Sequence, residues 1–129
     1  MTVKRFWASA VVSAAASPLV LSAAGQQSSV NPPFTVEQAG AGRLVFQTNC
    51  ATCHGADLLG GPYAPPLAGR AFVDVWSKRS TRDLIESIRT MPPTNPGTLG
   101  DDAHLNLAAH ILQANGITPG SRRLTHAGA

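Results

Sequence analysis

The sequence is short of several things on which a small domain ordinarily relies. Among 129 residues there are two cysteines, Cys50 and Cys53, and two methionines, Met1 and Met91. A structural zinc site takes about four ligands, and no second cysteine pair exists to complete one. Aromatic residues are scarce too: past residue 25 only Phe34, Phe46, Tyr63, Phe72 and Trp76 remain. A domain of about a hundred residues with so few large apolar side chains calls for a staple. Charge is nearly balanced. Setting aside Lys4 and Arg5, eight basic residues face seven acidic ones, so the formal net charge falls from +3 to +1. That balance gives no warrant for a nucleic-acid or membrane-surface role. Internal repeats are absent, and low-complexity sequence is confined to the Ala/Ser-rich start.

What is present is Cys50-Ala51-Thr52-Cys53-His54, the spacing that attaches a c-type haem. Two thiols three residues apart lie near one side of a helical turn, where each adds to one of the two vinyl groups of a haem. The adjoining imidazole then meets the iron. The competing reading of the pair is a structural disulfide or a redox dithiol. Haem joined through Cys50 and Cys53 would supply the missing staple, an apolar plate around which few side chains can pack.

The first residues read as an address. Met1-Thr2-Val3-Lys4-Arg5 is followed by an uncharged run of 19 residues, Phe6 to Ala24, ending in Ser22-Ala23-Ala24-Gly25. These are the three regions of a secretory signal peptide, so residues 1–24 are expected as a leader cleaved near Ala24 or Gly25. The run is close to the ~20 residues that span a bilayer, and an uncleaved anchor is the alternative. Pro18 and the small-residue end favour cleavage. The expected location is periplasmic, where haem is joined to such thiols in bacterial relatives of the motif, with membrane association only if the leader is kept. Residues 25–34 read as a linker, 35–117 as the folded domain and 118–129 as a loose tail.

Within the domain, Thr35-Val36-Glu37-Gln38 forms a capping box that predicts a helix to about Cys50. Gly42, Phe46 and Cys50 share one face of it. Gly55 to Gly69, with Gly60-Gly61-Pro62 and Pro65-Pro66, predicts a loop; one of its proline carbonyls would accept the second N–H of an iron-bound imidazole. A short helix is expected over Phe72 to Trp76. Ser80 and Asp83 cap another, with Leu84, Ile85 and Ile88 as its apolar face, ending near Thr90 because Pro92 biases Met91 away from helical angles. The last helix begins at Asp101 or Asp102 and stops at Asn115-Gly116, and its Ala108 and Ala109 are expected to meet Gly42.

Met91, in a loop bounded by prolines, is the leading candidate for the sixth iron ligand, with His54 as the fifth; the bland alternative is a gap-filling core side chain. His/Met ligation raises the reduction potential and suits electron transfer. His104 and His126 are expected to be exposed and His110 to lie where first and last helices meet; a bis-histidine site is the lesser possibility. Arg70, Lys78, Arg79, Arg82 and Arg89 cluster in sequence and would steer an acidic partner, or are ordinary surface charge.

Taken together, Cys50 to Gly55, Pro65-Pro66-Leu67-Ala68-Gly69, Met91-Pro92 and Ala108 to Leu112 make the chain resemble a class I cytochrome c over roughly residues 35–116. The resemblance implies an all-α fold with first and last helices crossing around one covalent haem. It further implies that Pro65 accepts from His54, that Leu67 and Trp76 line the haem pocket, and that Phe46 sits at the crossing. His110 departs from the family, which usually places an aromatic ring there. Phe72 to Leu99 is also similar to small cytochromes accompanying exported quinoprotein alcohol dehydrogenases. That likeness implies such a dehydrogenase as donor and an oxidase or another cytochrome as acceptor. The expected function is single-electron carriage without bond-making. The alternatives are a permanent subunit of a periplasmic dehydrogenase complex, or a haem enzyme or sensor with an open sixth position.

Overall fold

The first helix, α1, runs Val36–Asn49. It starts where it does because Thr35 and Gln38 satisfy each other: the Gln38 N–H donates to Thr35 Oγ1 at 3.3 Å and the Thr35 N–H to Gln38 Oε1 at 3.4 Å. This leaves fewer orphan donors in the first turn. The computed structural model describes residues 33–129. The expected leader and all of the linker before Pro33 lie outside the described residues. After α1 come α2 (Ala51–His54), α3 (Arg70–Trp76), α4 (Thr81–Arg89) and α5 (Asp101–Ala114), then a 3-10 turn at His126–Gly128. Among the described residues there is no strand, and the all-α expectation holds.

The local chemistry of each helix explains its limits. In α4, Ser80 and Asp83 form a second capping box, with the Asp83 N–H donating to Ser80 Oγ at 3.1 Å and the Ser80 N–H to Asp83 Oδ2 at 2.9 Å. Those backbone and hydroxyl donors hold the Asp83 carboxyl below its usual range. Leu84, Ile85 and Ile88 make the buried face. In α5, Asp101 and Asp102 occupy the first turn, where carboxylates favour the helix dipole. Its end is a Schellman motif: Gly116, at φ +87°, donates to the Gln113 carbonyl and Ile117 to the Leu112 carbonyl. Only glycine adopts that backbone without cost.

The principal helix pairing is α1 with α5, and α4 packs on α5. α1 and α5 meet closely at Gly42, where a β-carbon would collide with the Asn106 carbonyl and stand 2.9 Å from His110 Cβ. Residues 106 and 110, four apart, thus supply the nearest atoms, and Ala108 and Ala109, expected at this crossing, are fully buried on the same helix. His110 lies beside Phe46, ring centroids 5.5 Å apart and tilted by 55°.

Two further expectations fail together. The segment after Ile117 is tied down rather than loose. Gln38 Nε2 donates to the Leu124 carbonyl at 3.0 Å, the Leu124 N–H donates to Gln38 Oε1 at 2.7 Å, and the Gly120 N–H donates to the Phe34 carbonyl at 2.7 Å. Leu124 itself is 2% exposed. His104, expected at the surface, is 2% exposed as well. It lies among Arg89, Asp101, Glu86 and His126, and burial first, then Arg89, pushes its pKa down.

Candidate haem site

Cys50 ends α1 and starts α2, so one continuous bend delivers all three residues of the motif. The Cys50 N–H donates to the Phe46 carbonyl at 2.8 Å, and the Cys50 carbonyl accepts from Cys53 at 3.1 Å and from His54 at 2.9 Å. Cys50 is half-buried and Cys53 exposed, and no disulfide joins them. Burial, then the neighbouring Cys53, pushes the Cys50 thiol up.

The His54 ring is fixed from the other side. His54 Nδ1 is 2.8 Å from the Pro65 carbonyl oxygen. A carbonyl only accepts, so Nδ1 carries the proton and Nε2 keeps its lone pair for a metal. The loop presenting Pro65 is knitted internally. The His54 carbonyl accepts from Gly60, Gly61 donates to Ala64, and the Leu58 carbonyl accepts from both Leu67 (2.7 Å) and Ala68 (3.0 Å). Gly60, at φ +87°, lies so close to the prolines that a β-carbon would come within 2.8 Å of Pro66 N.

These residues open onto a cavity of about 550 Å³, within the size range of cofactor sites. Cys50, Cys53 and His54 line it together with Pro65 and Leu67, as do Phe72 and Trp76 of α3. Leu84 and Ile88 of α4, Leu107 and Ile111 of α5, and Met91 with Pro92 complete the lining. Met91 is 37% exposed, its N–H bonded to the Ile88 carbonyl at 2.9 Å. The residues fit a haem: the cavity is apolar, and it gathers two thiols, an imidazole of fixed tautomer and a thioether. Of the four histidines only His54 lines it; His104, His110 and His126 do not. Among the described residues no group of three or more His, Cys, Asp or Glu side chains is placed to hold a metal ion on its own.

Several contacts of the site were not anticipated from the sequence. Trp76, expected in the pocket, stacks on Phe72 with centroids 5.7 Å apart, and the Arg79 guanidinium lies 4.9 Å above the Trp76 ring. Leu107 and Ile111 reach the cavity from α5, and Leu58 anchors the proline loop through its carbonyl. The spacing of Arg79 three residues after Trp76 is the only one of these visible as a local pattern.

A family model described as cytochrome c oxidase, cbb3-type, subunit III matches residues 37–111. The matched span runs from the first turn of α1 to the last turn of α5 and includes the cysteine motif and Met91. The chain belongs to this family of c-type cytochrome domains. It is a mono-haem c-type cytochrome of class I fold, carrying covalent haem c and serving electron transfer. No curated protein and no solved structure matches the chain. Among the described residues no helix is long and apolar enough to cross a membrane.

Proposed function

We propose that the protein is an exported single-electron carrier whose haem iron is held by His54 and Met91, with Cys50 and Cys53 as the covalent anchors. The observation that supports this reading is that His54 and Met91 line the same apolar cavity. His54 keeps Nε2 free through its bond to Pro65, and no second imidazole lines the cavity beside Met91. When bound, the haem supplies a one-electron Fe(II)/Fe(III) couple. The chain's own residues do the rest. The Pro65 carbonyl orients the imidazole, and Leu67, Phe72, Trp76, Leu84 and Ile88 exclude water. The proline-bounded segment after α4 presents the thioether. An exposed Tyr63 at the cavity's edge and the basic residues Arg70, Lys78, Arg79 and Arg82 give a partner a surface to meet. The residue likeness noted above favours an exported quinoprotein dehydrogenase as donor and an oxidase or second cytochrome as acceptor. Export itself rests on residues 1–24; mass spectrometry of the mature protein should find its N-terminus near Ala24 or Gly25.

Met91→Ala tests the ligand pair. The variant should lose the methionine–iron charge-transfer band of the oxidised protein, bind CO readily when reduced, and show a lower reduction potential. A wild type that already binds CO and lacks the band would instead favour an enzyme or sensor with an open sixth position. The matching family is described as an oxidase subunit, which favours a second reading, a permanent subunit of a respiratory or dehydrogenase complex. Co-purification from native membranes and periplasm separates a subunit from a free carrier.

A further inference from the structure

Asn115 reaches back across the molecule to the loop that faces His54. Its Nδ2 donates to the Leu67 carbonyl at 2.9 Å and to the Ile111 carbonyl at 2.8 Å, while its Oδ1 accepts from the Gly69 N–H at 3.1 Å. Both amide hydrogens and the oxygen are thus used, and the flipped amide would set oxygen against two carbonyls. The bond to Ile111, on its own helix, fixes the rotamer. The backbone is fixed too, since Asn115 caps α5 immediately before the left-handed Gly116. A rigid helix end therefore grips Leu67 and Gly69, 48 and 46 residues away in sequence.

We propose that Asn115 is a positioning residue for the haem site: by clamping Leu67 and Gly69 it sets where the Pro65 carbonyl stands, and thereby the strength of its hydrogen bond to His54. The inference rests on His54 being the proximal ligand. The lever between clamp and ligand is short and stiff. Pro65 and Pro66 have ring-locked φ and no N–H, so a displacement of Leu67 passes to Pro65 with little slack. The same stretch of loop packs on the core through Leu67 and Ala68, and both donate to the Leu58 carbonyl within the loop itself. Asn115 adds the hydrogen-bonded tie to α5. The Pro65–His54 bond matters because a firmer acceptor at Nδ1 makes the ring a better electron donor to iron and favours the ferric state.

The test uses the haem-loaded protein as wild type, Asn115→Ala and Asn115→Asp. Asp keeps the acceptor for Gly69 but sets a carboxylate against two carbonyls, so it should perturb the loop at least as much as Ala. Leu124→Ala serves as a control that loosens the fold at a residue bonded to α1 rather than to the loop. Both Asn115 variants should keep methionine ligation by absorption; Asn115→Ala should show a more positive reduction potential by about threefold to tenfold in the redox equilibrium, tenfold being 59 mV for one electron, whereas in Asn115→Asp the added carboxylate opposes that shift and the ring proton is the readout. The His54 ring N–H should exchange faster in both, and Leu124→Ala should move neither quantity. A potential and ring proton unchanged in Asn115→Ala, or moved as far in Leu124→Ala, would overturn the positioning role. If the Asn115 variants do not fold, hydrogen exchange in wild type decides. The His54 ring proton and the Gly69 N–H should open together with the end of α5, and independent opening overturns the proposal. A wild type whose spectrum lacks histidine ligation brings down the ligand reading and the inference with it, an outcome distinct from an unmoved potential in a normally ligated protein.

Discussion

His110 is an imidazole at the meeting of α1 and α5, where the resemblance to class I cytochromes c implies an aromatic ring. It packs against Phe46, and its Nε2 is buried without a hydrogen-bond partner. Burial, and secondarily the Arg43 charge, pushes its pKa below the ordinary value of 6.5. A base whose folded-state pKa is depressed binds fewer protons folded than unfolded, so stability rises with pH across that interval. Its contribution is complete above about 6.5 and is lost as pH falls toward the folded value. His104 is shifted in the same direction. Holo wild type should therefore lose stability as pH falls below about 6.5, and His110→Tyr should flatten part of that slope, with His104 acting in the same direction. Denaturant unfolding of both proteins across this range checks it; parallel pH profiles would remove His110 from the account. The same contact shows why Gly42 is glycine. A methyl group there meets the backbone of α5, which cannot swing aside as a flexible side chain can.

At the scale of elements, the C-terminal segment is the part of the fold that reading the sequence missed. α1, α4 and α5 were legible because each carries its own signal: capping boxes at Thr35 and Ser80, an Asn-Gly stop at residue 115, and apolar residues at helical spacing. Residues 118–129 carry none, since a single leucine among polar residues has no period. Their partners are Gln38, 86 residues away, and Phe34. His104 was misplaced for the same reason, because the docked turn bearing His126 belongs to that segment. The site divides in the same way. Cys50, Cys53, His54 and Met91 announce themselves by residue type and spacing, whereas Asn115 acts through three hydrogen bonds that no local pattern encodes. The docking of the segment is measurable. Leu124→Ala empties a fully enclosed position and should cost about 2–5 kcal/mol, seen as a lower denaturation midpoint with haem spectrum intact. A loss below about 0.5 kcal/mol, the level of an ordinary surface substitution, would mean that the segment does not hold the body together in solution.

For the whole molecule, the cavity is the dominant energetic fact. The packed side chains surround about 550 Å³ of space, and an apolar void costs about 24 cal/mol per Å³ when its walls cannot collapse. The coefficient applies to enclosed voids and this cavity opens to solvent, so it gives only the direction: the apolar walls are short of packing partners until a cofactor lies against them. Few aromatics are available to fill the space by rearrangement, since Phe34 and Phe46 are committed to the core and Tyr63 is 82% exposed. The cofactor is thus a structural part of the fold. A Cys50→Ser, Cys53→Ser double variant purified without haem should keep much of its helical far-UV signal, because the caps of α1 and α4 are local. It should lose the near-UV signal of Trp76, whose ring lies on the cavity wall against Phe72, and unfold without a sharp transition. Sharp amide dispersion and cooperative unfolding in that apo variant would show that α1, α4 and α5 close the core alone, and that the haem is carried by the fold rather than completing it.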